Sequence, residues 1–119
     1  MQRRTPQWLQ GKTFEHTTPV GPWLVTTDEL DAGDLLLRCE VDGRVMQESG
    51  TSDMVFTVAQ LIAELSAILP LLPGDVIFTG TPAGIGASRK PPRFLQVGDV
   101  VTSSIEGIGE IRNRCVAAS

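Results

Sequence analysis

Apolar residues in this chain follow two different spacings, and each spacing predicts a different kind of element. Over residues 58–69 they recur at Val58, Leu61, Ile62, Leu65, Ile68 and Leu69, the three-and-four rhythm that draws one stripe along a helix. Thr57 and Gln60 form a capping box at its start, and Pro70 closes it. The pattern predicts a single amphipathic helix whose stripe belongs to the core. Elsewhere the apolar residues fall in short runs bounded by turn signals, which is strand grammar. Residues 35–41 and 44–47 flank Asp42-Gly43, a dipeptide suited to a type I′ turn because both central residues need positive φ. Residues 100–106 and 110–116 read as two more strands joined through Gly107-Ile108-Gly109. Trp23-Leu24-Val25-Thr26-Thr27 and Asp75-Val76-Ile77-Phe78 also read as strands, the second after a Pro73-Gly74 turn that Val97-Gly98-Asp99 echoes. The sum is a β-rich α+β protein with one helix.

The run at residues 75–78 opens into Thr79-Gly80-Thr81-Pro82-Ala83-Gly84-Ile85-Gly86, then into the basic, proline-rich Ser88-Arg89-Lys90-Pro91-Pro92. A buried strand feeding glycines, threonines and a proline has the shape of a binding loop, because backbone amides and hydroxyls there can approach a ligand closely. A tight turn without a ligand fits the same composition. A dinucleotide fingerprint does not fit: the glycines fall as G-x-x-x-G-x-G, and no helical period follows. Gly11-Lys12-Thr13 resembles the end of a phosphate loop, yet Pro6 stands where the first glycine belongs and no strand precedes it.

Size and charge narrow the picture. The 119 residues, 41% hydrophobic, suit one modest domain, 1–119, with a single core. A net charge of −4 and a pI near 4.8 argue against nucleic acid or an anionic membrane as the main partner. The cations are local: Arg3-Arg4, Arg89-Lys90 with Arg93, and Arg112 with Arg114, each most simply a solvated face and otherwise a place for a substrate carboxylate. Cys39 and Cys115 lie in apolar runs without metal-ligand spacing and read as reduced core thiols. No signal-peptide pattern opens the chain, and no apolar run approaches the roughly 18 residues of a membrane span. The expected location is cytoplasmic.

Composition supports little chemistry by itself. His16 is the only histidine, no G-x-S-x-G elbow is present, and the serines lack an activating context. His16 beside Glu15 is a possible pH-tuned pair, although a lone histidine is ordinarily a surface or hydrogen-bonded residue. The carboxylates fall mainly in turns, so no metal site is expected from this chain's own residues.

Five motifs in one order then identify a family. Lys12-Thr13-Phe14, Pro19-Val20-Gly21-Pro22-Trp23, Thr51-Ser52-Asp53-Met54, the segment from Pro73-Gly74-Asp75 through the glycine loop, and Gly98-Asp99-Val100 with Ile105-Glu106-Gly107-Ile108-Gly109 cover nearly the whole chain. In that order they closely resemble the carboxy-terminal half of the fumarylacetoacetate hydrolase family. The resemblance implies rolled, mixed β-sheets with few helices, usually as a homodimer, and a Mg²⁺ or Mn²⁺ ion. It also implies hydrolysis, isomerisation or decarboxylation of small 2-oxo acids or β-dicarbonyl diacids, such as acylpyruvates or 2-hydroxyhepta-2,4-diene-1,7-dioate, through a metal-stabilised enolate, with aromatic catabolism as the setting. By the same resemblance Lys12 is the active-site lysine. Thr81, with Gly80 beside it, belongs to the T-G-T-P loop that holds the substrate carboxylate, and Gln2 matches the glutamine of an R-D-x-Q segment.

The departures shape a second expectation. The family's metal-binding Glu-x-Glu pair and later Asp, and its general-base His and Glu, would all precede Met1, and the Arg-Asp before the x-Gln is missing. Glu15 stands where many members have Asp. The chain is therefore expected to be the C-terminal portion of a catalytic domain truncated at its N-terminus, without metal ligands of its own. The alternative is a catalytically inactive remnant that serves as an assembly or binding module.

Overall fold

Asp42 and Gly43 take φ of 52° and 75°, so the strongest turn signal in the sequence produces the turn it predicts. In the computed structural model of the chain, which describes residue 12 and residues 14–117, this turn joins β1 (Leu36–Val41) to β2 (Arg44–Gly50). A second hairpin pairs β3 (Val100–Ile105) with β4 (Gly109–Arg114) across the predicted glycine turn. The two hairpins join through β1 and β3, giving an antiparallel sheet of order β2-β1-β3-β4. Asp42 pins that junction: its carboxylate accepts from Val100 N–H at 2.9 Å and its own N–H donates to the Val100 carbonyl at 2.9 Å.

Cross-strand pairing sorts the side chains into two faces. Cys39 lies opposite Gln47 on one side and Ser103 on the other, and Ser103 lies opposite Ile111. With Leu37, Val41 and Val101 these residues form the more apolar face. The other face carries Arg38, Glu40, Glu48, Glu110 and Arg112, and there Arg38 Nε donates to Glu48 Oε2 at 2.6 Å across the β1–β2 pair. Among the described residues only Leu35 and Val41 are apolar and buried.

The Thr51-Ser52-Asp53-Met54 motif is structural. Thr51 Oγ1 accepts from Leu35 N–H at 2.9 Å and donates to the Ala32 carbonyl at 2.7 Å. Asp53 accepts from Ser49 Oγ at 2.7 Å and from Gly50 N–H at 3.0 Å, closing the short 3₁₀ turn Thr51–Asp53. The helix α1 (Val58–Ser66) forms as predicted, with the reciprocal Thr57–Gln60 capping box in place. Its stripe is not core, contrary to expectation: Leu61 and Leu65 are half-buried, whereas Val58 and Ile62 are exposed. The physical reason is that α1 makes few contacts with the four strands. No helix among the described residues is long and apolar enough to cross a membrane.

Two predicted strands do not form. Residues 23–27 and 75–78 have no ladder partner among the described residues, and strand conformation without a partner is not a strand. Trp23 is 71% exposed and Phe78 73%. The Pro73-Gly74 turn ahead of the second run does form, with Asp75 Oδ2 accepting from Leu72 N–H at 2.7 Å. The cysteines are free, as expected, but half-buried rather than enclosed.

The second glycine turn is built around Asp99. Its carboxylate accepts from Gln96 N–H at 2.8 Å and from Arg93 Nη2 at 2.7 Å, while its backbone carbonyl accepts from Cys115 N–H at 2.8 Å. The bond from Gln96, followed by the one from Arg93, holds the Asp99 carboxyl below the ordinary carboxylate value, and Ser49 then Gly50 do the same for Asp53. A lowered folded-state pKa contributes stability that is fully present above the unfolded-state value and is lost as pH falls through the folded one. The thermal midpoint should therefore be flat above about pH 5 and fall below about pH 4. Asp99→Asn should lower the midpoint at neutral pH and make the acid fall shallower in a pH series of thermal melts; an acid fall as steep as the parent's would remove Asp99 from the account.

Candidate functional site

A loop made mainly of glycine, threonine and proline has few side chains with which to hold itself, so much of its support comes from outside. Over residues 79–86 that support is β2 and one arginine. Gln47 Nε2 donates to Thr81 Oγ1 at 2.9 Å and to the Pro82 carbonyl at 2.7 Å. Arg89 Nε donates to the Gly84 carbonyl at 3.0 Å, and its Nη2 donates to the Met46 carbonyl. The neighbouring residues Met46 and Gln47 thus hold the loop at two points. Farther along, the Arg93 N–H donates to the Gly86 carbonyl at 2.9 Å, folding the basic segment back on the loop.

Met46 can take part because it is a β-bulge. Cys39 pairs with Gln47 but Glu40 pairs with Val45, which leaves Met46 as an extra residue in β2. Side chains alternate along a strand, so in a regular strand Val45 and Gln47, two residues apart, would share a face. The bulge places Val45 with Glu40 on the charged face and Gln47 with Cys39 on the face toward the loop. At Gly84, with φ 102°, a Cβ would lie 2.3 Å from the Met46 carbonyl oxygen, so only glycine allows the loop this close to the bulge.

Of the site residues expected from sequence, Thr81 and Gly80 stand in this loop. Thr81 is exposed, and Gly80 has φ 116° with open space around it, so both face solvent where a small anion could reach them. Lys12 is exposed in the segment leading to Phe14. Gln2 lies outside the described residues. His16 approaches Glu15 at 3.6 Å, with both side chains almost fully exposed. Sequence reasoning missed Gln47, Met46 and the brace formed by Arg89. The adjacent apolar pair Val45-Met46, which breaks the alternation of β2, was the available signal for the bulge.

Two open cavities lie nearby. One, of about 480 Å³, sits at the charged end of the sheet between Leu36, Arg38 and Glu110. The other, of about 600 Å³, lies beside the hairpin and is lined by Arg44, Arg89, Lys90 and Arg93 with Asp42. Neither is lined by Thr81; the loop itself is open to solvent. Among the described residues no group of three or more His, Cys, Asp or Glu side chains could hold a metal ion.

A family model described as the fumarylacetoacetate (FAA) hydrolase C-terminal region matches residues 1–116. The chain is 50% identical over 117 residues to oxaloacetate tautomerase FAHD2A, mitochondrial, of Bos taurus, covering 98% of this chain and 37% of that protein. It superposes with a TM-score of 0.91 on fumarylacetoacetate hydrolase from Exiguobacterium antarcticum, at 43% identity over 94% of this chain and 40% of that one. Maleylpyruvate hydrolase from Sphingobium sp. SYK-6, in complex with manganese (II) ion and pyruvate, is 35% identical with a TM-score of 0.76, over 85% of this chain and 36% of that one. The chain spans well under half the length of the relatives it matches.

Proposed function

This chain belongs to the fumarylacetoacetate hydrolase family, and on that premise we propose that it forms the carboxylate-holding side of an enzyme site for small 2-oxo acids or β-dicarbonyl diacids. The observation that carries this reading is the braced loop: Thr81, fixed by Gln47, presents a hydroxyl to solvent beside a left-handed Gly80. A carboxylate is bound well by hydroxyl and amide donors held in place before it arrives. The tautomerase relative makes oxaloacetate the first substrate to try. Its tautomerisation moves one proton between C3 and the C2 oxygen with no redox change, through an enolate whose charge needs stabilising. Lys12 supplies a cation for that charge, and Thr81 with Gly80 orients the carboxylate. Cleavage or decarboxylation of related acids passes through the same kind of enolate, so those reactions belong to the proposal as well.

A divalent metal, Mg²⁺ or Mn²⁺, fits the family and the manganese-bearing relative. The described residues do not fit one, since no suitable ligand group occurs among them. Their contribution is binding and hydrogen-bonded charge stabilisation.

The test follows the ultraviolet absorbance of enol-oxaloacetate with Mg²⁺ or Mn²⁺ present. The complete enzyme site that this chain helps to form should accelerate its decay, and Thr81→Val should lower kcat/KM by about tenfold to a hundredfold through loss of one donor to a charged group. No acceleration, or a Thr81→Val variant with parent kinetics, would overturn the assignment. The second reading, an inactive module that assembles with another chain, is favoured by the exposed apolar residues Leu24 and Phe78. An intact fold by circular dichroism together with an unaltered tautomerisation rate would select it.

A further inference from the structure

The hydrogen bonds around Gln47 have a direction, and that direction reaches the proposed site. The Pro82 carbonyl can only accept, so the Gln47 group 2.7 Å from it must be the NH₂ and not the amide oxygen. The same nitrogen lies 2.9 Å from Thr81 Oγ1 and gives it the second hydrogen. Thr81 Oγ1 is thereby an acceptor toward Gln47, and its own proton has to point elsewhere. Thr81 is exposed, so that elsewhere is the solvent in front of the loop.

We infer that Gln47 is a positioning residue that fixes the Thr81 hydroxyl as a hydrogen-bond donor toward an anionic ligand, and that the Met46 bulge exists to place it there. Without Gln47 nothing would hold the hydroxyl as an acceptor on its inner side, so it could turn its proton away and offer only lone pairs outward, which a carboxylate repels. The bulge is the second half of the device, since it puts Gln47 on the loop side of the sheet while the Met46 carbonyl receives Arg89. This inference rests on the reading of the loop as a carboxylate site, but the polarity of the bonds can be measured without any substrate.

The first measurement is solution NMR of the Gln47 side-chain amide in the whole chain. Both Nε2 protons should be slowed in exchange with water, and Thr81→Val should release one of them. Two fast-exchanging protons in the parent would overturn the inference whatever the enzyme does. The second measurement is oxaloacetate kinetics for Gln47→Glu and Gln47→Met. Gln47→Glu keeps the size but can only accept when ionised, so it takes the Thr81 proton; KM should rise at least tenfold at neutral pH and recover toward the Gln47→Met value as the carboxyl protonates in acid. Gln47→Met should show a smaller, pH-independent rise. Equal KM values for the two variants at every pH would leave Gln47 a merely structural prop and overturn the inference while the carboxylate reading stands. A parent enzyme inactive on oxaloacetate would instead remove the functional reading, with the NMR result still deciding the polarity.

Discussion

Gly84→Ala should cost about 3 kcal/mol or more of folding free energy, because strain and a steric clash act there together. Two terms add. A non-glycine residue at φ 102° is strained, typically by about 1–3 kcal/mol. The new Cβ would also lie 2.3 Å from a carbonyl oxygen that Arg89 and the bulge hold in place, so neither side can yield cheaply. Gly43→Ala is the control, because Gly43 has φ 75° with nothing within 4 Å of its Cβ position. Urea unfolding should therefore show a midpoint shift at least twice as large for Gly84→Ala. Equal shifts would mean that backbone strain alone acts and that the loop does not press on the bulge.

Arg89→Met should cost about 2 kcal/mol. The substitution keeps the aliphatic stem and removes the guanidinium that joins the Gly84 and Met46 carbonyls, leaving a half-buried acceptor on each side without its donor. Amide hydrogen exchange should reveal the loss most directly, with faster exchange over residues 79–88 than in the outer strands. Arg89→Lys should recover little, because a single ammonium lacks the planar fork that reaches two carbonyls at once. Exchange in the loop unchanged by Arg89→Met would show that Gln47 alone holds it.

The hairpins and the helix cap were legible in the chain because their causes are local. Asp42-Gly43 sets φ by itself, and Thr57 and Gln60 satisfy each other across one turn. The runs at residues 23–27 and 75–78 misled for the opposite reason: β-branched and apolar composition states a willingness to pair, whereas a strand requires a neighbour that composition does not name. The helical stripe gave the correct face and the wrong depth, since Val58 and Ile62 need a surface to cover them and the four strands do not provide it. Thr81 and Gly80 were picked out by the family's loop pattern, and both stand in the loop that β2 and Arg89 brace. Gln47 was not, because its importance comes from a bulge that moves it to the loop side and from a partner far along the chain. A lone glutamine in a strand carries no such signal.

The topology also fixes an order of events. Each hairpin closes through a turn of its own, an event on the microsecond scale. By contrast, Asp42 must find Val100 across 58 residues and Gln47 must find Thr81 across 34. Both long closures cost chain entropy before any bond repays it. The β1–β2 hairpin with its bulge is thus ready before the glycine loop arrives, and the loop docks on a finished strand. The same asymmetry runs backward during native fluctuations: the loop can lift from Gln47 and Arg89 while both hairpins stay paired. Such partial opening needs only a few bonds to part, so the loop can be exposed without the sheet unfolding.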